Sequence, residues 1–120
     1  MKNFYLFITL KMKKGILYAT IQSYDKEMIC LEFASPSFCK YSIINPNTLE
    51  LTPLYYGFRK LNKDYAFAIT DKNKNRVLGA IINLNDFSLV DPTLLIDYGS
   101  VISKESFIAY IRNDTLYTLT

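Results

Sequence analysis

Apolar and polar residues alternate with a period of two along most of this chain, and short polar clusters interrupt the alternation. Side chains of a strand point to opposite faces in turn, so this period predicts strands; a helix face would recur every three to four residues. Phe4, Leu6, Ile8 and Leu10 alternate against Tyr5, Phe7 and Thr9 and predict a first strand, with a turn over Lys11–Gly15. Ile16–Tyr24 and Met28–Ala34 continue the pattern on either side of Asp25-Lys26-Glu27, and Ser35-Pro36-Ser37 is a loop. Tyr41–Ile44 leads into Asn45-Pro46-Asn47-Thr48, a turn by its chemistry, since proline presets φ and asparagine tolerates the left-handed region. Leu49–Tyr56 resumes the extended pattern, with Pro53 marking an edge or a bulge.

The second half repeats the idea. Tyr65, Phe67 and Ile69 alternate with Ala66, Ala68 and Thr70; residues 71–75 are a polar loop, and Arg76–Leu84 is apolar on both faces, as a central strand would be. Asn85-Asp86 turns into Phe87–Val90, which Asp91-Pro92 ends. Ile43-Ile44-Asn45-Pro46-Asn47 with Leu51 echoes Ile81-Ile82-Asn83-Leu84-Asn85 with Leu89, and two hairpins sharing turn chemistry explain so short a match. Ser103 as an N-cap, with Ile102 and Phe107 as a hydrophobic staple, predicts one helical turn near residues 102–106. A hairpin through Asn113-Asp114 follows it. The expected fold is all-β and mainly antiparallel, a small β-sandwich or partly open barrel of about eight to ten short strands.

Length and composition narrow the picture. The chain has 120 residues, which favours a single domain over 1–120, and it is 50% hydrophobic with 21% charged residues, enough to bury a core. Its longest charge-free stretch is the ten residues Gly15–Tyr24, short of the roughly 18 needed to span a bilayer as a helix. The start Met1–Leu10 reads as a strand rather than as a signal peptide, because Lys11-Met12-Lys13-Lys14 follows it directly without a small-residue cleavage site. Cys30 and Cys39 read as reduced thiols of a cytoplasmic protein. Lys, Asn, Ile, Tyr and Phe make up 51 of the 120 residues, a bias of A/T-rich genomes and mobile genetic elements.

Candidate chemistry is defined first by what is missing. The chain has no histidine and no tryptophan, which removes Ser-His-Asp and Cys-His catalysis and His-ligated metals. The four glycines lie too far apart for a phosphate-cradling loop, and two cysteines cannot build a four-thiolate site. The reading is therefore a non-enzyme without a cofactor or metal. The formal net charge of +3 is too mild to demand nucleic acid.

Two segments stand out as binding surfaces. Val77–Ser103 contains no Lys or Arg but carries Asp86, Asp91 and Asp97 among apolar and aromatic neighbours such as Phe87 and Tyr98. Carboxylates beside apolar anchors suit a basic protein surface. Leu54–Lys60 offers Tyr55, Tyr56, Phe58 and Arg59, residue types that serve either an interface or a base-stacking site, though neighbours on a strand point opposite ways. The leading expectation is a small protein-binding domain, an immunity or inhibitor protein that occludes a toxin such as a nuclease with this acidic segment. A nucleic-acid-binding β-barrel and a structural or assembly subunit of a phage or mobile element are the alternatives; no membrane partner is expected.

Overall fold

β-Branched and aromatic residues at alternating positions build eleven short strands among the described residues of the computed structural model. It describes residues 7–12, 15–24, 28–35, 38–72, 75–91 and 95–120, with backbone alone for 7–24, 35 and 38. The first strand before Phe7, the Asp25-Lys26-Glu27 connection and the two loop prolines Pro36 and Pro92 lie outside the described residues. The strands are β1 (Phe7–Met12), β2 (Gly15–Tyr24), β3 (Ile29–Ser35), β4 (Phe38–Ile44), β5 (Gly57–Lys60), β6 (Tyr65–Lys72), β7 (Val77–Asn83), β8 (Ile96–Asp97), β9 (Val101–Ser103), β10 (Ile108–Arg112) and β11 (Thr115–Leu119). The described residues thus hold one strand more than the expected ten, the shortest being the two-residue β8.

The pairing is antiparallel throughout the described ladders, in three sheets ordered β1-β2-β3-β4, β5-β6-β7-β8 and β11-β10-β9. None closes into a barrel. No helix among the described residues is long and apolar enough to cross a membrane. Residues 1–57 and 58–120 form two compact units, each with its own buried residues.

In the first unit the β3–β4 hairpin buries Cys30, Leu31, Phe33 and Ile43. Ser42 is also fully buried, at no cost in lost hydrogen bonds: its hydroxyl donates to the Thr52 carbonyl oxygen at 2.7 Å, and the Ile43 N–H donates to Thr52 Oγ1 at 3.0 Å. In the second unit the β5–β8 and β9–β11 sheets share one core. Phe67, Ile69, Ile81 and Ile96 come from the first of these sheets, Ile108 and Tyr110 from the second, and Leu61 from the loop after β5. Sheet-on-sheet packing of this kind is the sandwich principle.

The echo around Asn45 and Asn83 extends well beyond five letters. In the first unit the Asn45 side chain accepts the Asn47 N–H (2.9 Å), the Leu49 N–H returns to the Asn45 carbonyl (2.7 Å), and the Asn45 N–H donates to the Glu50 carbonyl (2.8 Å). Leu49 sits at φ 65°, Ile44 bridges Leu51, and the Thr52 N–H donates to the Ile43 carbonyl. In the second unit Asn83 accepts the Asn85 N–H (2.7 Å), Phe87 returns to the Asn83 carbonyl (2.8 Å), and Asn83 donates to Ser88 (2.9 Å). Phe87 sits at φ 63°, Ile82 bridges Leu89, and Val90 donates to Ile81. Every feature recurs 38 positions on, including a bulky residue in the left-handed region that ordinarily favours glycine or asparagine. In both copies the turn follows an antiparallel hairpin and sends the chain back along the hairpin's outer strand. These segments return as isolated bridges, not as the continuous strands expected over Leu49–Tyr56 and Phe87–Val90.

The helical turn is displaced from its expected place. It lies at Tyr98–Ser100, where the Asp97 carboxylate caps the Gly99 N–H at 2.9 Å. Ile102 and Ser103 instead pair with Ala109 and Ile108, and the Lys104 N–H closes the hairpin loop onto the Phe107 carbonyl. A local cap contributes about 1 kcal/mol, less than the ladder and the burial of Ile108 that the strand pairing secures.

Candidate binding face of the third sheet

The β10–β11 hairpin turns through Asn113 and Asp114, both with positive φ (50° and 59°), the geometry of a two-residue turn whose twist suits a hairpin. That turn sets Arg112 opposite Thr115, and every later pair follows: Ile111 with Leu116, Tyr110 with Tyr117, Ala109 with Thr118, Ile108 with Leu119. On the other side Ala109 opposes Ile102, and Tyr110 opposes Val101. Directly opposed residues share a face. Ile108, Tyr110, Val101 and Leu119 therefore line the face packed in the core, whereas Ile102, Ala109, Ile111, Leu116 and Thr118 line the other. The second face carries no charge; Ala109 at its centre is buried, while Ile102, Ile111 and Leu116 around it are 55%, 54% and 63% exposed. Large aliphatic side chains grouped this way mark interaction surfaces.

The three aspartates have different surroundings. Asp91 is buried and ion-paired with the Arg112 guanidinium, which joins the segment leaving β7 to the end of β10. The Asp97 carboxylate accepts the Gly99 N–H and, at 3.1 Å, Arg76 Nε; the Gly99 bond first and the arginine second hold its pKa below the usual carboxylate value. Asp86 is exposed and accepts both the Ser88 N–H (2.9 Å) and its hydroxyl (2.7 Å), bonds that likewise lower its pKa. Two of the three negative charges thus already face arginines of their own chain. Asp86 is thus an exposed turn acceptor, whereas Asp91 is half of a buried pair.

No protein-family model, curated protein or solved structure matches the chain.

The aromatic candidates are divided in the same way. Tyr98 is half-buried, with its ring edge-to-face with Phe67 (5.1 Å between centroids) and the Arg59 guanidinium 4.9 Å from its centroid. Asp97, Tyr98, Arg59 and Arg76 therefore form one linked group in the second unit. In the first unit Tyr55 is half-buried and exchanges two 2.8 Å backbone hydrogen bonds with Tyr41, and burial raises its pKa. Tyr56 is exposed, with Lys40 Nζ 5.1 Å above its ring. Both tyrosines lie outside the strands, and neither is buried in the core. Phe58 is half-buried on β5.

The thiols are free. Cys30 opposes Ile43 and Cys39 opposes Ala34, four rungs apart on one hairpin, or about 13 Å along the strands; a disulfide needs its Cα atoms within about 7 Å. Burial first, then the Glu32 charge, pushes the Cys30 thiol up to about 11, the reverse of what a nucleophilic thiol needs. The Tyr41 hydroxyl donates to Glu32 Oε2 (3.0 Å), which raises its pKa. Among the described residues no three of Cys, Asp and Glu stand together as metal donors.

The apolar face escapes the period-two reading because Ile108–Ile111 is nonpolar at every position except for the Tyr110 hydroxyl. The usable signal is the Asn113-Asp114 turn, which sets the register and hence which residues share a side.

Proposed function

We propose that this chain is a non-catalytic protein-binding module that works through the outer face of its third sheet. The observation that carries the reading is the group Ile102, Ile111 and Leu116, aliphatic, more than half exposed and aligned on one face. Apolar side chains at the centre of an interface supply most of its binding energy once water is excluded. The absence of histidine and the raised Cys30 thiol support a binding role over catalysis.

Occlusion of a toxin or another enzyme remains one use for such a module. It would run through apolar burial, with Asp86 as the carboxylate still facing solvent without an arginine contact, rather than through a plug of three acids. The nucleic-acid reading has less support, since Tyr55, Phe58 and Tyr98 are half-buried, which leaves Tyr56 as the exposed ring among these candidates. The test is capture from native lysate with wild type and with the Ile111→Asp, Leu116→Asp double variant as baits. A protein held by wild type and lost by the variant supports the module; equal capture by both baits, or nucleic acid alone on both, overturns it.

A further inference from the structure

We propose that the free edge of β11 takes up an extended peptide segment of a partner protein as a fourth, antiparallel strand of the third sheet. This edge lies beside the apolar face described above and binds through backbone groups, so it adds to the binding-module reading without resting on it.

The other hairpins show what such an edge holds. In the β3–β4 hairpin Tyr41, opposite Glu32, exchanges two 2.8 Å backbone hydrogen bonds with Tyr55, and two residues on the Ile43 carbonyl accepts the Thr52 N–H. In the β6–β7 hairpin Gly79, opposite Ile69, pairs with Ile96, and two residues on the Ile81 carbonyl accepts the Val90 N–H. Each outer strand is thus covered by extended chain that arrives later in the sequence, with a large side chain on the same rung.

The third sheet follows the same plan up to β11. Tyr56-Gly57 opens β5, and Tyr98-Gly99 leads into β9 42 residues later; Tyr65 and Phe107, with the same separation, accept the loop-closing N–H groups of Leu61 and Lys104. Antiparallel rungs alternate between bonded and non-bonded pairs, and a two-residue turn makes the pair that flanks it a bonded one. Arg112 and Thr115 flank Asn113-Asp114, so Thr115, Tyr117 and Leu119 bond to β10, whereas Leu116 and Thr118 turn their N–H and C=O groups outward. Leu116 and Thr118 therefore stand where Gly79 and Ile81 stand on β7, but among the described residues no strand pairs with them.

Sheet edges are ordinarily shielded by charge, proline or brevity. β5 carries Arg59 and Lys60, β8 has two residues and β9 three. β11 runs Thr-Leu-Tyr-Thr-Leu, without charge or proline, and Thr115–Thr118 are exposed. In both covered hairpins the occupant is a single extended segment and not the border of a further sheet, since β8 ends its sheet and Tyr55 makes an isolated bridge. The partner segment is accordingly one extended strand with an aromatic or branched aliphatic residue on the Leu116 rung. Its backbone bonds supply affinity, and that side chain, sharing a face with Leu116, supplies selectivity.

The probe is the capped peptide Leu-Thr-Pro-Leu-Tyr-Tyr-Gly, the sequence of residues 51–57 that covers β4. Amide hydrogen exchange is followed residue by residue on the intact protein. In the free protein the Leu116 and Thr118 amides should exchange at least about tenfold faster than the Tyr117 amide. Peptide added to about 2 mM should slow both, with a dissociation constant on the order of 0.1–1 mM. Thr118→Pro removes an outward N–H that the β10 ladder does not use, so it should keep the cooperative melt and abolish the response. Thr118→Ala retains that N–H and should bind within about twofold of wild type. N-methylation of the first tyrosine of the peptide blocks the same ladder from the other side without touching the protein, and it should also abolish binding. A Leu116 amide already protected in the free protein overturns the proposal, as does no response at 2 mM peptide, or an undiminished response with Thr118→Pro or with the methylated peptide. A peptide response combined with equal lysate capture by the wild-type and Ile111→Asp, Leu116→Asp baits overturns the apolar-face module and leaves the added strand standing; the reverse pattern overturns the added strand alone.

Discussion

The β5–β8 and β9–β11 sheets share one core, and β6 and β10 are composed alike, yet their far faces differ in exposure. Along β6, Phe67 and Ile69 pack against the neighbouring sheet while Ala66 and Ala68 close the far face, all at 3% exposure or less. Along β10, Ile108 and Tyr110 pack inward in the same way and Ala109 on the far face is 5% exposed, but Ile111 on that face, next to the turn, is 54% exposed and its partner Leu116 63%. Strands buried on both faces read as continuous apolar runs, and strands with one wet face alternate. β10 has the first kind of sequence throughout, but the second kind of surroundings only at its turn end, from Ile111 onward. β6 is closed on both faces from Ala66 to Ile69, whereas the closure of β10 ends at Tyr110.

The sharpest test of the contrast compares one residue from each far end of the pattern. Phe67→Ala removes a fully buried ring from the shared core and is expected to cost about 3–5 kcal/mol in urea unfolding. Ile111→Ala should lie within about 0.5 kcal/mol of wild type in the same measurement. Comparable losses at both sites would mean that the outer face of β10 is packed after all. Gly79→Ala tests how tightly the β6–β7 pair is closed. A Cβ there would collide with the Ala68 carbonyl oxygen and come within 2.9 Å of Phe67 Cε2, so the backbone itself must move. A loss of about 3 kcal/mol is expected, although a methyl group is the smallest possible addition. The same rung of the third sheet, Tyr110 with Tyr117, holds two stacked rings 5.3 Å apart.

Much of this fold was legible in the alternation and the turns, because a period of two and an Asn-Asp or Asn-Pro-Asn turn act within a few residues. The helical turn was misplaced for the complementary reason. Ser103 is a good local cap, but Ile102 and Ser103 find strand partners in Ala109 and Ile108, and no local rule announces that pairing. The acidic segment was misleading in the same sense. Val77–Ser103 holds no cation, yet Arg76 reaches Asp97 and Arg112 reaches Asp91, each across 21 residues of chain. The Asn45 and Asn83 echo shows the intermediate case: its letters were visible, while the shared hydrogen bonds and the left-handed Leu49 and Phe87 needed the backbone.

Asp91→Asn asks whether the contrast between the two sheets depends on the pair that links them. The Asp91 side chain is 10% exposed and that of Arg112 24%, so the asparagine variant strands a largely desolvated guanidinium. Fully buried pairs cost about 3–5 kcal/mol to break, and partial exposure of the arginine lowers the expectation to about 2–3 kcal/mol. Hydrogen exchange should show the loss concentrated in β10 and β11, with β6 and β7 protected as before. Uniform loss across both sheets would mean that the pair stabilises the unit as a whole and does not anchor the third sheet in particular.

The smallest expected effect belongs to Asp97, which holds the short β8 edge and the 3-10 turn after it. Its folded pKa lies below the unfolded value, so its contribution to stability is complete above the unfolded pKa of about 3.9 and is lost as the pH falls through the lower folded value. Above pH 5, Asp97→Asn should therefore change the thermal midpoint little, because an amide oxygen can still accept the Gly99 N–H and exposed pairs such as Arg76–Asp97 contribute little. Below pH 4 the variant should lose stability less steeply than wild type, since it has no carboxylate to protonate. Arg76→Gln should reproduce only part of that flattening, because the Gly99 hydrogen bond is the larger cause of the lowered pKa. Added salt separates the two contributions. It screens the arginine but not the backbone bond, so at 1 M salt, where the Debye length is about 3 Å, the acid limb of wild type should approach that of Arg76→Gln and stay steeper than that of Asp97→Asn. Identical acid limbs for wild type and Asp97→Asn would remove Asp97 from the acid sensitivity of this sheet and leave Asp86, held by Ser88 at the β7 turn, as the carboxylate to test next.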